Sequence, residues 1–135
     1  MPQPRMLNAA CLCRAVRLEV RDEFEYVQIC HCSDCRRATG SASKPFAGIA
    51  RAKLRFLQGE DNLLRFGGDQ AHDIRCRTCG SLLFSAFPPR DWVHLVLGSL
   101  LDPPSRQPSC HIWVSDKAPW DPIADGLPQH EGFPP

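Results

Sequence analysis

The segment Val27-Gln28-Ile29-Cys30-His31-Cys32-Ser33-Asp34-Cys35-Arg36-Arg37 decides how this chain is read. Val27 and Ile29 lead into Cys30 as a strand does, and the period of two puts Cys30 and Cys32 on one face of the strand end. A turn at Ser33 or Asp34 then swings Cys35 round to meet them. Cys30, Cys32 and Cys35 therefore form a ligand set within one short segment. Thiolates select soft or borderline cations, and zinc is the default, with an iron–sulfur cluster the minor alternative. His31 sits between two of these thiols on the opposite face and is expected to orient the loop without binding metal.

Working outward, eight cysteines are present, and two further groups flank the first: Cys11-Leu12-Cys13 and Cys76-Arg77-Thr78-Cys79-Gly80. An even count suits disulfides, but the basic residues Arg5, Arg14 and Arg17 leave no room for a secretory signal, and 135 residues exceed the size that needs covalent staples. Coordination is the expected use, in a reducing, cytoplasmic setting. Four thiolates close a tetrahedral structural zinc site, and three leave one position open. The natural division gives Cys30, Cys32 and Cys35 one ion and Cys11, Cys13, Cys76 and Cys79 another, two zinc ions per chain. Spacing alone also allows Cys79 to join the triplet. Gly80 permits the tight turn under a metal. Arg14, Arg36, Arg37, Arg75 and Arg77 stand beside cysteines, where cations favour thiolate. Cys110 is expected to be a buried strand thiol.

Composition narrows the function. Lys and Arg number 16 against 15 Asp and Glu, a formal charge of +1. Gripping nucleic acid or an anionic membrane needs a basic excess, so neither is expected as a partner. The apolar run from Trp92 to Leu101 is too short to span a bilayer. One local asymmetry stands out: Arg36, Arg37, Lys44, Arg51, Lys53 and Arg55 follow one another with no acidic residue between them. Arg51, Lys53 and Arg55 alternate outward as a solvated strand face. Arg36, Arg37 and Lys44, with Thr39 and Ser41, are the candidate contacts for a small anionic substrate.

Short alternating runs recur at Val16–Val20, Val27–Ile29, Leu54–Leu57, Ser81–Phe84, Val93–Leu97 and His111–Val114, with turn residues between them. Only Asp34–Thr39 invites a helical turn. The expected fold is a mainly β single domain over residues 1–135, with its core at about 9–116. The tail over 117–135 is proline-rich and expected to lie extended on the surface.

These motifs resemble the glutathione-dependent formaldehyde-activating enzymes and their relatives, including the centromere protein V domain. The resemblance rests on Cys11-Leu12-Cys13, on Cys30 to Arg37 with Thr39-Gly40-Ser41, and on Cys76 to Gly80. It is extended by His111-Ile112-Trp113-Val114, Ala118-Pro119-Trp120 and Gly126-Leu127-Pro128. It implies an Mss4-like zinc-containing β fold with short helical turns. Cys11, Cys13, Cys76 and Cys79 would hold the structural zinc, and Cys30, Cys32 and Cys35 the catalytic zinc. The implied activity is carbon–sulfur lyase or synthase chemistry on glutathione or a similar thiol adduct, of the formaldehyde–glutathione type.

Two other classes compete. A non-catalytic zinc module for a thiol ligand or partner protein would have two closed sites, and the balanced charge leaves room for it, as for a homodimer. Methionine sulfoxide reduction, found on the same fold, would need Cys110 exposed with a lowered pKa. The general acid or base is not evident, with Asp34 and His31 as candidates.

Overall fold

Alternation of apolar and polar residues builds the smaller of two sheets. In β1 (Met6–Ala10) Leu7 and Ala9 turn inward, and in β2 (Arg17–Arg21) Leu18 and Val20 do. β2 pairs antiparallel with β1 on one side and with β5 (Leu54–Gln58) on the other. The computed structural model describes residues 3–135; Met1 and Pro2, at the start of the domain read as 1–135, lie outside the described residues.

The larger sheet has seven strands, in the order β10-β3-β4-β9-β8-β7-β6. Its members are β3 (Tyr26–Cys30), β4 (Lys44–Ala50), β6 (Leu63–Gly67), β7 (His72–Cys76), β8 (Leu82–Phe87), β9 (Trp92–Val96) and β10 (Cys110–Ile112). All pairs are antiparallel except β10 with β3. Ala47, Ile49, Val93 and Leu95 on its inner face pack with Leu7, Leu18 and Val20 of the small sheet in one buried core. Two sheets packed face to face remove apolar surface from water, the main driving force here. The architecture is the mainly β single domain with short helical turns that the sequence predicts.

Six of the ten strands fall on the alternating runs read from the sequence; β1, β4, β6 and β7 do not. β4 is the instructive case, because it lies centrally yet contains Pro45 and Gly48. Both disfavour a central strand. Gly48 is there for space: a Cβ at this position would sit 2.3 Å from Cζ of Tyr26, whose ring crosses the backbone of β4. The run His111–Val114 stops as a strand at Ile112, since Trp113 takes a left-handed conformation (φ 55°) and a 3-10 turn follows.

Among the described residues the one α-helix, α1 (Ser33–Thr39), follows β3 directly. The C-terminal segment runs beside β10: the His111 amide donates to the Pro128 carbonyl and the His130 amide to the His111 carbonyl, both at 2.9 Å. It thereby covers an edge that would otherwise expose unpaired backbone groups. Among the described residues no helix is long and apolar enough to cross a membrane.

Candidate metal centres and their surroundings

The cysteines gather as four and three. The sulfurs of Cys11, Cys13, Cys76 and Cys79 lie within 4.8 Å of one another, and so do those of Cys30, Cys32 and Cys35. Cys79 thus stands with the first group and not with the triplet. All eight thiols are free. Cys11 Sγ lies 3.7 Å from Cys13 Sγ, and Cys13 Sγ 3.8 Å from Cys76 Sγ. A tetrahedron with zinc–sulfur bonds of about 2.3 Å has edges of about 3.8 Å, so the spacing fits a bound zinc ion.

Backbone geometry explains how each group converges. The Cys79 amide donates to Cys76 Sγ (3.5 Å), and the Gly80 amide to the Cys76 carbonyl (2.9 Å). Gly80 has φ 79°, which a residue with a Cβ adopts only at a cost. The triplet repeats this turn: Cys32 caps α1 by accepting the Cys35 amide at 3.3 Å. Each group also contains a thiol primed to carry negative charge. The Ser81 hydroxyl, then amides and neighbouring sulfurs, bring Cys79 down to about 5. Hydrogen bonding from Cys35, helped by Cys32 and the Lys44 ammonium, brings Cys30 down to about 6. Cys35 is pushed up by the same contact and by burial. Negative sulfur shared among close thiols is the donor chemistry a soft cation completes.

The flanking arginines do something other than face thiolates. Arg75 donates to the Gly80 carbonyl (3.0 Å) and to the Ala38 carbonyl, tying the Cys76 turn to α1. Arg77 donates to the Leu63 carbonyl at 3.0 Å. The outward strand charges are largely paired: Lys53 with Glu23 at 3.0 Å and Arg55 with Glu19 at 2.5 Å.

The proposed substrate contacts divide. Arg36, Arg37, Gly40 and Ser41 line a shallow cavity of about 280 Å³ with Trp120. Arg37 is exposed and lies 3.4 Å from Asp34, while the Arg36 Nε is buried with no partner. Thr39 and Ser41 direct their hydroxyls to the carbonyls of Cys35 and Ser43 and to each other. Lys44, a candidate substrate contact, is 7% exposed and donates to Ser85 Oγ at 2.7 Å. Ser85 in turn donates to Asp73 Oδ1 at 2.6 Å. Lys44 is also the register partner of Cys30, so this Lys44–Ser85–Asp73 chain runs from β4 to β7 beside the triplet. Neither Ser85 nor Asp73 carried a sequence signal, because separate strands bring them together.

A second buried chain holds the triplet from the other side. His31 (1% exposed) lies with Nε2 2.8 Å from His111 Nδ1, and His111 Nε2 lies 2.8 Å from Asp125 Oδ2. The Leu127 amide and the His111 contact keep the Asp125 carboxyl low, so it accepts from His111 Nε2–H. His111 Nδ1 then accepts from His31 Nε2–H, which leaves a lone pair on His31 Nδ1, buried and unpartnered. Burial above all holds His31 below its usual range. His31 thus points to His111 and stands outside both sulfur clusters. Asp34 is exposed and paired only with Arg37. Cys110 is buried at 6% and packs with Cys30, Phe46 and Ile112, which removes the exposed thiol that sulfoxide reduction requires.

The sequence model of a family described as "Glutathione-dependent formaldehyde-activating enzyme" matches residues 6–116. A crystal structure of a Rhodobacter sphaeroides protein is similar to this chain, with a TM-score of 0.58 and 28% identity. The similarity covers 73% of this chain and 92% of that one. No curated protein matches.

Proposed function

Because the chain belongs to the glutathione-dependent formaldehyde-activating enzyme family, we propose that it is a zinc-dependent carbon–sulfur lyase or synthase. Its substrate on this reading is glutathione or a similar thiol, joined to or released from a small carbonyl compound. The observation that carries the reading is the three-cysteine cluster, one ligand short of a closed tetrahedron, with a buried ammonium beside it. Zinc held by Cys30, Cys32 and Cys35 would supply an open position that keeps a substrate thiol in its thiolate form. Zinc held by Cys11, Cys13, Cys76 and Cys79 would be structural. A cytoplasmic setting suits eight unpaired cysteines.

The remaining roles belong to the chain's own side chains. As sulfur adds to the carbonyl carbon, negative charge develops on the carbonyl oxygen. Lys44 is the cation positioned to stabilise it, and the hydroxyl of Ser85 and the carboxylate of Asp73 fix the direction of its ammonium. Arg36 and Arg37 are suited to carboxylates of the thiol, with the backbone turn of Gly40 and Ser41 completing that side. Thr39 and Ser41 shape this turn.

Calorimetric titration of the zinc-loaded protein with glutathione and S-methylglutathione tests the reading. Glutathione is expected to bind much more tightly, since blocking the sulfur removes its access to the open position. Equal binding would separate the thiol from the triplet and leave a non-catalytic zinc module in its place.

A further inference from the structure

Beyond the triplet, the outer face of the large sheet carries a cavity of about 380 Å³ lined by Tyr26, Phe46, Phe87, Arg90, His94 and Phe133, among others. It shares Phe46 with the buried group around the cysteine cluster. Tyr26 and Cys30 share a face of β3 through the two-residue period, and Phe46 packs in one buried group with Cys30, Cys32 and Cys35. Adjacent same-face positions on a strand are about 7 Å apart, so a group attached to sulfur at the triplet meets Phe46 first, and the His94 ring lies stacked beyond it.

The walls are aromatic and held in place. Phe46 stacks on the His94 ring at 4.2 Å between centroids, and Phe87 meets it edge-on at 4.8 Å. Trp92 Nε1–H donates to Tyr26 Oη at 2.8 Å, so the Tyr26 hydroxyl proton is free to donate to His94 Nε2 at 2.7 Å. That fixes the His94 proton on Nδ1. This N–H has no hydrogen-bond partner among the described residues, and it is not enclosed away from solvent. Burial, then the charges of Lys44 and Arg90, hold His94 down to about 3, so the ring remains a neutral donor. Arg90 is exposed at the far rim, lies 5.2 Å over Phe87, and has no carboxylate partner among the described residues. A hydrogen atom or hydroxymethyl group leaves this space unfilled; a planar apolar ring fills it, with an acceptor at His94 or a carboxylate at Arg90.

We propose that this pocket is the subsite for the carbonyl half of the adduct and that the preferred carbonyl substrate is an aromatic aldehyde, larger than formaldehyde. The proposal rests on the carbon–sulfur reading above and specifies its substrate. In the forward direction the thiol sulfur bonds to the aldehyde carbon, the carbonyl π bond breaks, and the thiol proton ends on the former carbonyl oxygen. The reverse step breaks the same carbon–sulfur bond and returns that proton to sulfur. No oxidant or further reactant is needed.

S-benzylglutathione and S-methylglutathione mimic the aromatic and one-carbon adducts, and calorimetry on the zinc-loaded protein compares them. The benzyl derivative is expected to bind at least about tenfold more tightly, as burial of a ring between aromatic walls predicts. Phe46→Ala should reduce that preference to within about twofold, and its zinc content checks that the cysteine group it packs against stays intact. Arg90 lies on the surface, so Arg90→Ala is expected to fold normally. It should weaken S-(4-carboxybenzyl)glutathione about tenfold and spare the benzyl compound, the loss expected for one charge-assisted contact. A peptide-free pair, phenylmethanethiol against 2-mercaptoethanol, separates the pocket from the choice of thiol. Aromatic preference in that pair with no binding of any glutathione derivative would retain the pocket and remove glutathione. Equal affinities within both pairs would overturn the proposal.

Discussion

Cys76–Cys79 and Cys32–Cys35 close the same small turn, the fourth residue's amide bonded to the first residue's sulfur at 3.5 Å and 3.3 Å. The two clusters nevertheless sit in different mechanical settings. The four-cysteine cluster joins the connection between β1 and β2 to the end of β7 and the turn after it, and Cys11 and Cys76 belong to the main core between the sheets. The three-cysteine cluster comes from one short segment and packs with a small separate group around Phe46, Cys110 and Ile112. A ligand set drawn from distant parts of the chain makes metal binding and folding one process. A set drawn from adjacent residues leaves the fold standing when a ligand is lost. On the reading proposed above, one kind of turn serves to staple in one region and to present an open position in the other.

The largest expected effect tests this contrast directly. Cys79→Ser should give unfolded or insoluble protein, since closed four-thiolate sites bind with on the order of 10 kcal/mol. Cys35→Ser should remain folded, short of one zinc ion and inactive, with thermal melting and metal content as the readouts. If the two variants melt alike, the division of labour fails.

Lys44→Met probes the open cluster without touching a ligand. Both zinc ions should stay bound while turnover on the glutathione–formaldehyde adduct falls about 100-fold or more, in line with loss of an electrostatic stabiliser. A variant as active as the parent would show the Lys44–Ser85–Asp73 chain to be structural. Replacing Arg36 and Arg37 together by Ala should cost roughly tenfold in glutathione affinity, about the value of one charge-assisted contact. Added salt should weaken glutathione binding to the parent more than to this double variant.

The smallest effect concerns acid. Burial, then the charges of Lys44 and Arg90, hold His94 down to about 3 in the folded chain, well below the usual histidine range near 6.5. Its folded pKa is depressed, so the unfolded chain binds the extra proton first. Stability from His94 is complete above about pH 6.5 and falls as pH drops from there toward 3. The slope is at most about 1.4 kcal/mol per pH unit. His94→Gln keeps an acceptor for Tyr26 and removes the titration, so its denaturant stability between pH 6 and pH 5 should fall less than that of the parent. Parallel curves would assign the acid sensitivity to groups other than His94.

What could be read from the sequence alone was whatever neighbouring residues determine between themselves. Cys30, Cys32 and Cys35 are two and three positions apart, and so are Cys11 with Cys13 and Cys76 with Cys79; at such spacing backbone geometry brings the sulfurs together whatever the rest of the chain does. The strands with clear alternation were legible for the same reason. β4 was hidden because Pro45 and Gly48 carry the signature of a loop, and only the Tyr26 ring lying across Gly48 explains that composition. Tertiary structure decided the rest. It chose between the two partners open to Cys79, and it buried Lys44 against Ser85, with Asp73 beyond it. It also lined up Trp92, Tyr26 and His94 beside an aromatic pocket. These groups come from strands far apart in the chain, and their meeting depends on strand order and register. Both are set by burial of the whole inner face, a property that no short stretch of residues possesses.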